Sequence, residues 1–133
     1  VLLERSQDAD PIGLGRSLEN MASVFRLQGK YLEAEQFCRR ALAIKETLLG
    51  PDHPDVALSA ANLGQLWVAQ GQPEKAEPLY RRALAIRQKS LGASHPEVAK
   101  ALEDLANVLR KLGRNNEAVA LDLQAREIRG KRS

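Results

Sequence analysis

The sequence predicts an all-α protein, an α-solenoid of antiparallel helix pairs, and three observations carry that prediction. First, two stretches are nearly the same text: CRRALAIKETLLGPDHPDV begins at Cys38 and YRRALAIRQKSLGASHPEV begins at Tyr80. Second, the interval is fixed: Gly71 minus Gly29 is 42, Gly113 minus Gly71 is 42, and Ala34, Ala76 and Ala118 keep that spacing. So do Ala41, Ala83 and Ala125, and Ile44, Ile86 and Ile128. A fixed period of roughly 20 to 50 residues marks a stacked array, in which each unit buries its apolar face against its neighbours. Third, apolar and small residues within one unit recur three and four apart, the spacing of a single helix face. Ala60, Leu63, Gly64 and Trp67 do so in one segment, and Ala76, Leu79, Tyr80, Ala83, Leu84 and Ile86 in the next.

Glycine and proline place the ends of the helices. Within a unit, GQP at Gly71 to Pro73 separates two helices, with Gly71 suited to a positive φ after a helix end and Pro73 to the first position of the next. Between units, LGPDHPDV and LGASHPEV repeat that logic: Gly50 and Gly92 close one helix, and Pro54 and Pro96 open another. Asp55 and Glu97 then fall near the positive end of the helix dipole. Helices are predicted near 1–7, 13–28, 31–48, 54–70, 73–90, 96–112 and 115–129. VLLE at the start aligns with AIKE at Ala43 to Glu46, so the chain is read as opening inside a helix whose beginning is missing. Pro78 lies inside the helix begun at Pro73 and removes a hydrogen bond to the carbonyl of Glu74, which predicts a slight bend or loosened turn. The organisation expected is one array over 1–133: a remnant helix and linker in 1–12, repeats in 13–53, 54–95 and 96–129, and a basic tail in 130–133.

Composition limits the function classes. With 133 residues, 44% of them apolar and 28% charged, the chain suits one soluble globular unit. No apolar run approaches the roughly 20 residues of a membrane helix, so no membrane partner is expected. VLLERSQDAD lacks the basic start and long apolar centre of a secretory leader. The single cysteine, Cys38, cannot form an internal disulfide, which points to a reducing, cytoplasmic setting. The net charge of +3 is small and dispersed, a weak argument for anionic partners and none by itself for nucleic acid.

The stretches GKYLEAEQFCRRALAIKETLLGPDHPDVA and GQPEKAEPLYRRALAIRQKSLGASHPEVA resemble tetratricopeptide repeats of the long kind found in kinesin light chains and related bacterial proteins. The resemblance covers nearly the whole chain. A leucine-glycine pair and an aromatic in the first helix mark that family. Leu63, Gly64 and Trp67 fill those places in the second copy, Met21, Ala22 and Phe25 in the first, and Leu105, Ala106 and Leu109 in the third. The resemblance implies a right-handed superhelix whose first helices line a concave groove, where many members hold an extended or helical peptide. It implies a protein-protein interaction module rather than an enzyme, with no cofactor.

The side of each first helix that does not carry the Leu-Gly-aromatic set supplies the candidate groove. It gives Arg16, Glu19, Asn20, Ser23 and Arg26 in the first copy, and Leu58, Ala61, Asn62, Gln65 and Val68 in the second. The third copy adds Lys100, Glu103, Asp104, Asn107, Arg110 and Lys111. Asn20 and Asn62 match the asparagines that in the family hydrogen-bond a ligand's main chain, a task suited to an amide because it both donates and accepts. Asp104 departs from that pattern, since an ionised carboxylate only accepts. Five groove residues are positive (Arg16, Arg26, Lys100, Arg110, Lys111) and three negative (Glu19, Glu103, Asp104), which favours a peptide with some acidic residues. An apolar anchor would meet the patch of Leu58, Ala61 and Val68. The competing reading is that all of these are ordinary hydrated surface residues.

Other chemistry is weaker. His53 and His95 recur once per unit, but equivalent positions in stacked helices lie at least about 8 to 10 Å apart, too far to share a metal ion. Each stands before a helix-opening proline, and capping or packing is the better reading. Cys38 has no histidine near it in sequence and reads as an inert, partly buried thiol. Trp67 aligns with Phe25 and Leu109 and reads as core. No phosphate loop, catalytic triad or paired carboxylates appear, so no catalytic residues are expected. Two alternatives to a peptide-binding groove remain. One is a spacer or self-assembling scaffold, joined through array ends that lack an evident polar cap, with Val119, Leu121, Leu123 and Ile128 on the last helix. The other is a nucleic-acid binder using Arg39, Arg40, Arg81 and Arg82 with the basic tail Arg126 to Arg132, a reading weakened by the interspersed Glu33, Glu35, Glu74 and Glu77.

Overall fold

The computed structural model describes residues 11–131, so the helix expected over 1–7 lies outside the described residues. Six helices follow one another: α1 (Pro11–Leu27), α2 (Tyr31–Leu49), α3 (Pro54–Ala69), α4 (Pro73–Leu91), α5 (Pro96–Lys111) and α6 (Asn115–Gly130). Among the described residues there is no strand. Each odd-numbered helix packs on the even one that follows it, and successive pairs join through α2 against α3 and α4 against α5. The first helix begins two residues earlier than 13 because Pro11 can occupy the first turn, where its missing N–H leaves no bond unmade. α4 runs unbroken through Pro78, whose exposed ring leaves the carbonyl of Glu74 to water.

Three chain reversals are made in one way. Lys30 N–H donates to the carbonyl of Phe25 at 2.8 Å and Gly29 N–H to that of Arg26 at 3.0 Å. Gln72 and Gly71 repeat this on Trp67 and Val68, and Arg114 and Gly113 on Leu109 and Arg110. This pair of bonds satisfies the last helical carbonyls and requires a left-handed residue, a role filled by Gly29, Gly71 and Gly113 at φ of 77°, 75° and 79°. The longer connections between pairs end on histidine. His53 Nδ1 accepts from the backbone N–H of Asp55 at 3.0 Å, and His95 Nδ1 from that of Glu97 at 3.1 Å. The two histidines therefore cap α3 and α5.

The core is built on small residues at the pair contacts. Ala34, Ala76 and Ala118, and seven residues on Ala41, Ala83 and Ala125, are all buried. Seven residues are nearly two helical turns, so both alanines of a helix lie on one face, and their size lets the partner backbone approach. Leu66, Leu102, Leu105 and Leu109 are almost wholly buried, and Tyr80 and Leu84 of α4 pack against the clusters that the last three form with α6. Trp67 is buried as expected, with Lys75 Nζ 4.5 Å from its ring centre. Tyr80 packs both on the core of the first two pairs and on that of the last.

Gly64 makes room for that tyrosine. A Cβ at Gly64 would sit 2.9 Å from Tyr80 Cε2 and 3.1 Å from Cδ2. One period away the same two positions hold Ala22 with Cys38, and Ala106 with Asp122, so the bulkiest outer residue faces the smallest inner one.

The last helix divides the four apolar residues named for its unpartnered face. Ile128 is buried and Leu121 packs against two clusters of the core. Only Val119 and Leu123 point outward.

Two outcomes test these local arguments. Replacing both capping histidines (His53→Ala with His95→Ala) should cost about 1 kcal/mol per cap, and asparagine at both positions should restore it, read by thermal melting of the helical signal. Gly64→Ala should destabilise by about 1 to 3 kcal/mol through overpacking, although alanine is the better helix former. Adding Tyr80→Cys, which copies the first pair, should recover part of that loss in a double-mutant cycle; strict additivity would show that the two side chains do not meet.

Candidate functional site

A furrow runs along α1, α3 and α5 as three cavities of about 40, 180 and 240 Å³. Gln65 lines all three, and Asn62 lines the first two, so the middle inner helix forms their common wall. The first cavity gathers Glu19, Ser23 and Arg26 with Asn62 and Gln65 above Cys38. The second gathers Leu58, Ala61, Asn62, Gln65, Lys100 and Asp104. The third gathers Gln65, Val68, Asp104, Asn107 and Lys111. Arg16, Asn20, Glu103 and Arg110 line none of these three, so the structure brings Asn62 into the furrow without Asn20. The side-chain amides of Asn62 and Gln65 make no hydrogen bond with any other described residue, which leaves their donors and acceptors to water.

Several charges expected in the groove are spent inside the protein. Glu19 receives Lys45 Nζ on one oxygen at 2.7 Å and the hydroxyl of Ser59 on the other, tying α1 to α2 and α3. Lys45 is only 3% exposed, so this charge needs its partner. Glu103 pairs with Arg129 at 2.6 Å, and Arg110 with Asp122 at 2.6 Å and with Asn107 Oδ1 at 2.6 Å. Lys100 and Asp104 face each other at 3.3 Å. Arg16, Arg26 and Lys111 have no ion pair among the described residues.

Two residues of α4 enter the furrow that the sequence reading left outside it. Tyr80 lines the second and third cavities and Arg87 the second. Arg87 is half-buried and has no carboxylate partner among the described residues. The signal for it was present in the register: Lys45, Arg87 and Arg129 are equivalent, and so are Glu19, Ala61 and Glu103. The outer pairs of helices close this position with Glu19–Lys45 and Glu103–Arg129, whereas the middle pair has an alanine where the glutamate would be.

Burial pushes the Tyr80 hydroxyl up to about 12, with the nearby Asp104 carboxylate adding to it, so the phenol stays neutral at the furrow wall. Burial likewise pushes the Cys38 thiol up to about 11, helped by Glu19 and opposed by Arg26, which keeps it protonated and unreactive.

The arginines of the outer helices are engaged with one another's neighbours. Arg39 bonds Glu35, Arg82 bonds Glu46, and Arg81 bridges Glu77 and Glu117. Arg114 joins the same cluster through Glu77 and Glu117. A polyanion would have to displace these carboxylates. Among the described residues no helix is long and apolar enough to cross a membrane.

A family model described as tetratricopeptide repeat matches residues 14–89 and 68–131. Among solved structures, BtubC from P. vanneervenii is similar at 28% identity and a TM-score of 0.82, over 88% of this chain and 47% of that one. A putative kinesin light chain with nearly identical TPR-like repeats from Podosopora anserina is 29% identical with a TM-score of 0.81, over 92% of this chain and 57% of that one. The chain thus spans about half the length of these two structures. The TPR domain of Arabidopsis FLU shares the fold at 19% identity, with a TM-score of 0.75 over 90% of this chain and 98% of that one. No curated protein matches the sequence. With its repeats, helix pairs and neighbours in agreement, the chain belongs to the tetratricopeptide-repeat family, as a right-handed superhelical array of the long, kinesin-light-chain-like type.

Proposed function

We propose that the furrow binds an extended peptide of a partner protein, with an acidic residue of the peptide held at Arg87. The observation that carries this reading is the interrupted register at Ala61. Where the flanking pairs supply Glu19 and Glu103 to their basic residues, the middle pair leaves the Arg87 guanidinium facing a cavity of about 180 Å³. A peptide carboxylate there replaces the missing glutamate, and a guanidinium can receive it through two parallel hydrogen bonds. Lys100 stands at the same cavity, partly offset by Asp104. Asn62, beside them, has an amide that can both donate to and accept from the peptide main chain. Leu58, Ala61 and Val68 offer the apolar contact. The reading is of a binding module with no catalysis of its own. A cytoplasmic setting goes with it, on the single buried thiol of Cys38.

Peptides selected from a random library against the array should be enriched in aspartate and glutamate. Asn62→Ala should weaken a selected peptide by about 1 to 3 kcal/mol, because polar groups of the peptide are then buried unpaired. Helicity should not change, since the residue is hydrated in the empty furrow. Ala61→Glu should do more, by rebuilding the internal pair with Arg87 and displacing the peptide's carboxylate while leaving thermal stability intact. Titration calorimetry with unchanged affinity for both variants would remove this reading. Binding lost instead on substitution of Arg39, Arg81 and Arg82, with a steep salt dependence, would favour a polyanion on the outer helices.

A further inference from the structure

The two junctions between helix pairs share one register but not the same ion pairs. At the first, Arg82 of α4 bonds Glu46 of α2 at 3.1 Å, and Lys89 near the end of α4 reaches Asp52, in the connection between α2 and α3, at 2.7 Å. One period on, the positions of Arg82 and Glu46 hold Gln124 and Gln88, which carry no charge. The other pair is half kept: Lys131 stands where Lys89 does, but Ser94 stands where Asp52 does. Lys131 is left with Glu127 of its own helix, at 3.8 Å. The second junction is tied instead near the start of α6, through Arg81–Glu117 and Arg114–Glu77.

Ser94 is also placed to be modified. It is exposed in the turn between α4 and α5, outside either helix, and the residue after it, His95, has an extended backbone at φ −72° and ψ 142°. Glu97, three residues on, is exposed as well. Ser94 alone among the serines and the threonine of the sequence has an acidic residue at that spacing. An exposed serine in non-helical chain, with a carboxylate three positions after it, complements a kinase whose substrate groove carries a basic pocket beyond its catalytic base.

We propose that Ser94 is the phosphorylation site of an acid-directed protein kinase, and that its phosphate completes with Lys131 the ion pair that Asp52 makes with Lys89. The step is a phosphoryl transfer from a magnesium-bound nucleoside triphosphate. Ser94 Oγ bonds the γ-phosphorus, the bond from that phosphorus to the bridging oxygen breaks, the nucleoside diphosphate leaves, and the hydroxyl proton passes to a base of the kinase and then to water. The phosphate brings a charge of about −1.5 to −2 and three acceptor oxygens. It stands just before α5, at the positive end of that helix dipole, as Asp52 stands before α3. Its effect is to fasten the end of α6 to the connection between α4 and α5, at the half of the junction away from Arg81 and Arg114. The proposal is independent of the furrow and of any peptide bound there.

The test treats the 133-residue chain with an acid-directed serine kinase and magnesium ATP, and reads the intact chain and its fragments by mass spectrometry. One phosphoryl group on Ser94 is expected, and none at that position in Ser94→Ala. The pairing is read by hydrogen exchange: phosphorylation should slow the amides in the last turn of α6 roughly 2- to 5-fold. Ser94→Asp, which copies the first junction, should give part of that slowing. Lys131→Ala should abolish it, Lys131→Arg should keep it, and high salt should weaken it. The reciprocal change, Asp52→Ser, should speed exchange in the last turn of α4. A reaction that leaves Ser94 unmodified, or that places phosphate on other serines in preference, would overturn the assignment of the site. Slowing that is absent from the phosphorylated chain, or undiminished in Lys131→Ala, would overturn the pairing.

Discussion

Everything in this fold depends on how closely two helices approach at a pair of alanines. Ala34 and Ala41, Ala76 and Ala83, and Ala118 and Ala125 are each buried where an outer helix meets its inner partner. A larger side chain at any of them would push the helices apart from the roughly 8 to 10 Å that ridge-and-groove packing allows. Once that distance is fixed, each pair has apolar residues left on two further sides. Those residues leave water only when pairs stack, which is why one spacing governs alanines, isoleucines and turn glycines together.

The three repeats differ where the register is broken. Wherever all three copies agree, the residue is structural: the alanines close a pair, and the glycines turn the chain. Wherever they disagree, the surface changes character. The alanine at 61 takes away a glutamate that closes the outer pairs, and Arg87 becomes a charge without an internal partner. The contrast with Lys45 is instructive, because a charge as buried as that one persists only with a carboxylate against it. Arg87, half-buried at a cavity, is hydrated while the furrow is empty. It gains its full pairing energy only when a carboxylate arrives from outside.

Local features of the sequence were legible because their causes are local. Gly29, Gly71 and Gly113 announce the helix ends through a backbone conformation that other residues resist, and Pro54 and Pro96 announce the next helices. The capping histidines were readable for the same reason, since His53 and Asp55 are neighbours. The lining of the furrow was legible only in part. That Asn62, Gln65 and Asp104 face one side of the inner helices follows from helical phase alone, but the fate of Glu19 does not. Its partners, Lys45 and Ser59, are 26 and 40 residues away and lie on two other helices. Tyr80 and Arg87 lie on α4, outside the first helices from which the groove was drawn, and helical phase does not tell how far a long side chain reaches between two inner helices. The apolar letters of the last helix were legible in half: Leu121 and Ile128 are consumed by the core, while Val119 and Leu123 stay exposed one turn apart.

The outer surface also bears on how the furrow can work. Arg82–Glu46, Lys89–Asp52, Arg81–Glu117 and Arg114–Glu77 all join one helix pair to the next across the outer helices. These pairs are exposed enough for salt to screen them, so each contributes little to stability. Their collective effect is geometric: they hold the outer helices in step, while the buried leucines between pairs set the distance. The rotation between successive pairs sets the curvature of a stacked array and hence the width of its inner furrow. The contacts that hold it differ on its two sides, being screened ion pairs on the outside and close packing within. The middle pair sits between two such junctions, and it is the pair whose inner helix carries Asn62 and Gln65 and whose outer helix carries Tyr80 and Arg87. The side chains that line the furrow most fully are therefore those positioned by both neighbours at once, which ties its shape to stacking and not to any single repeat.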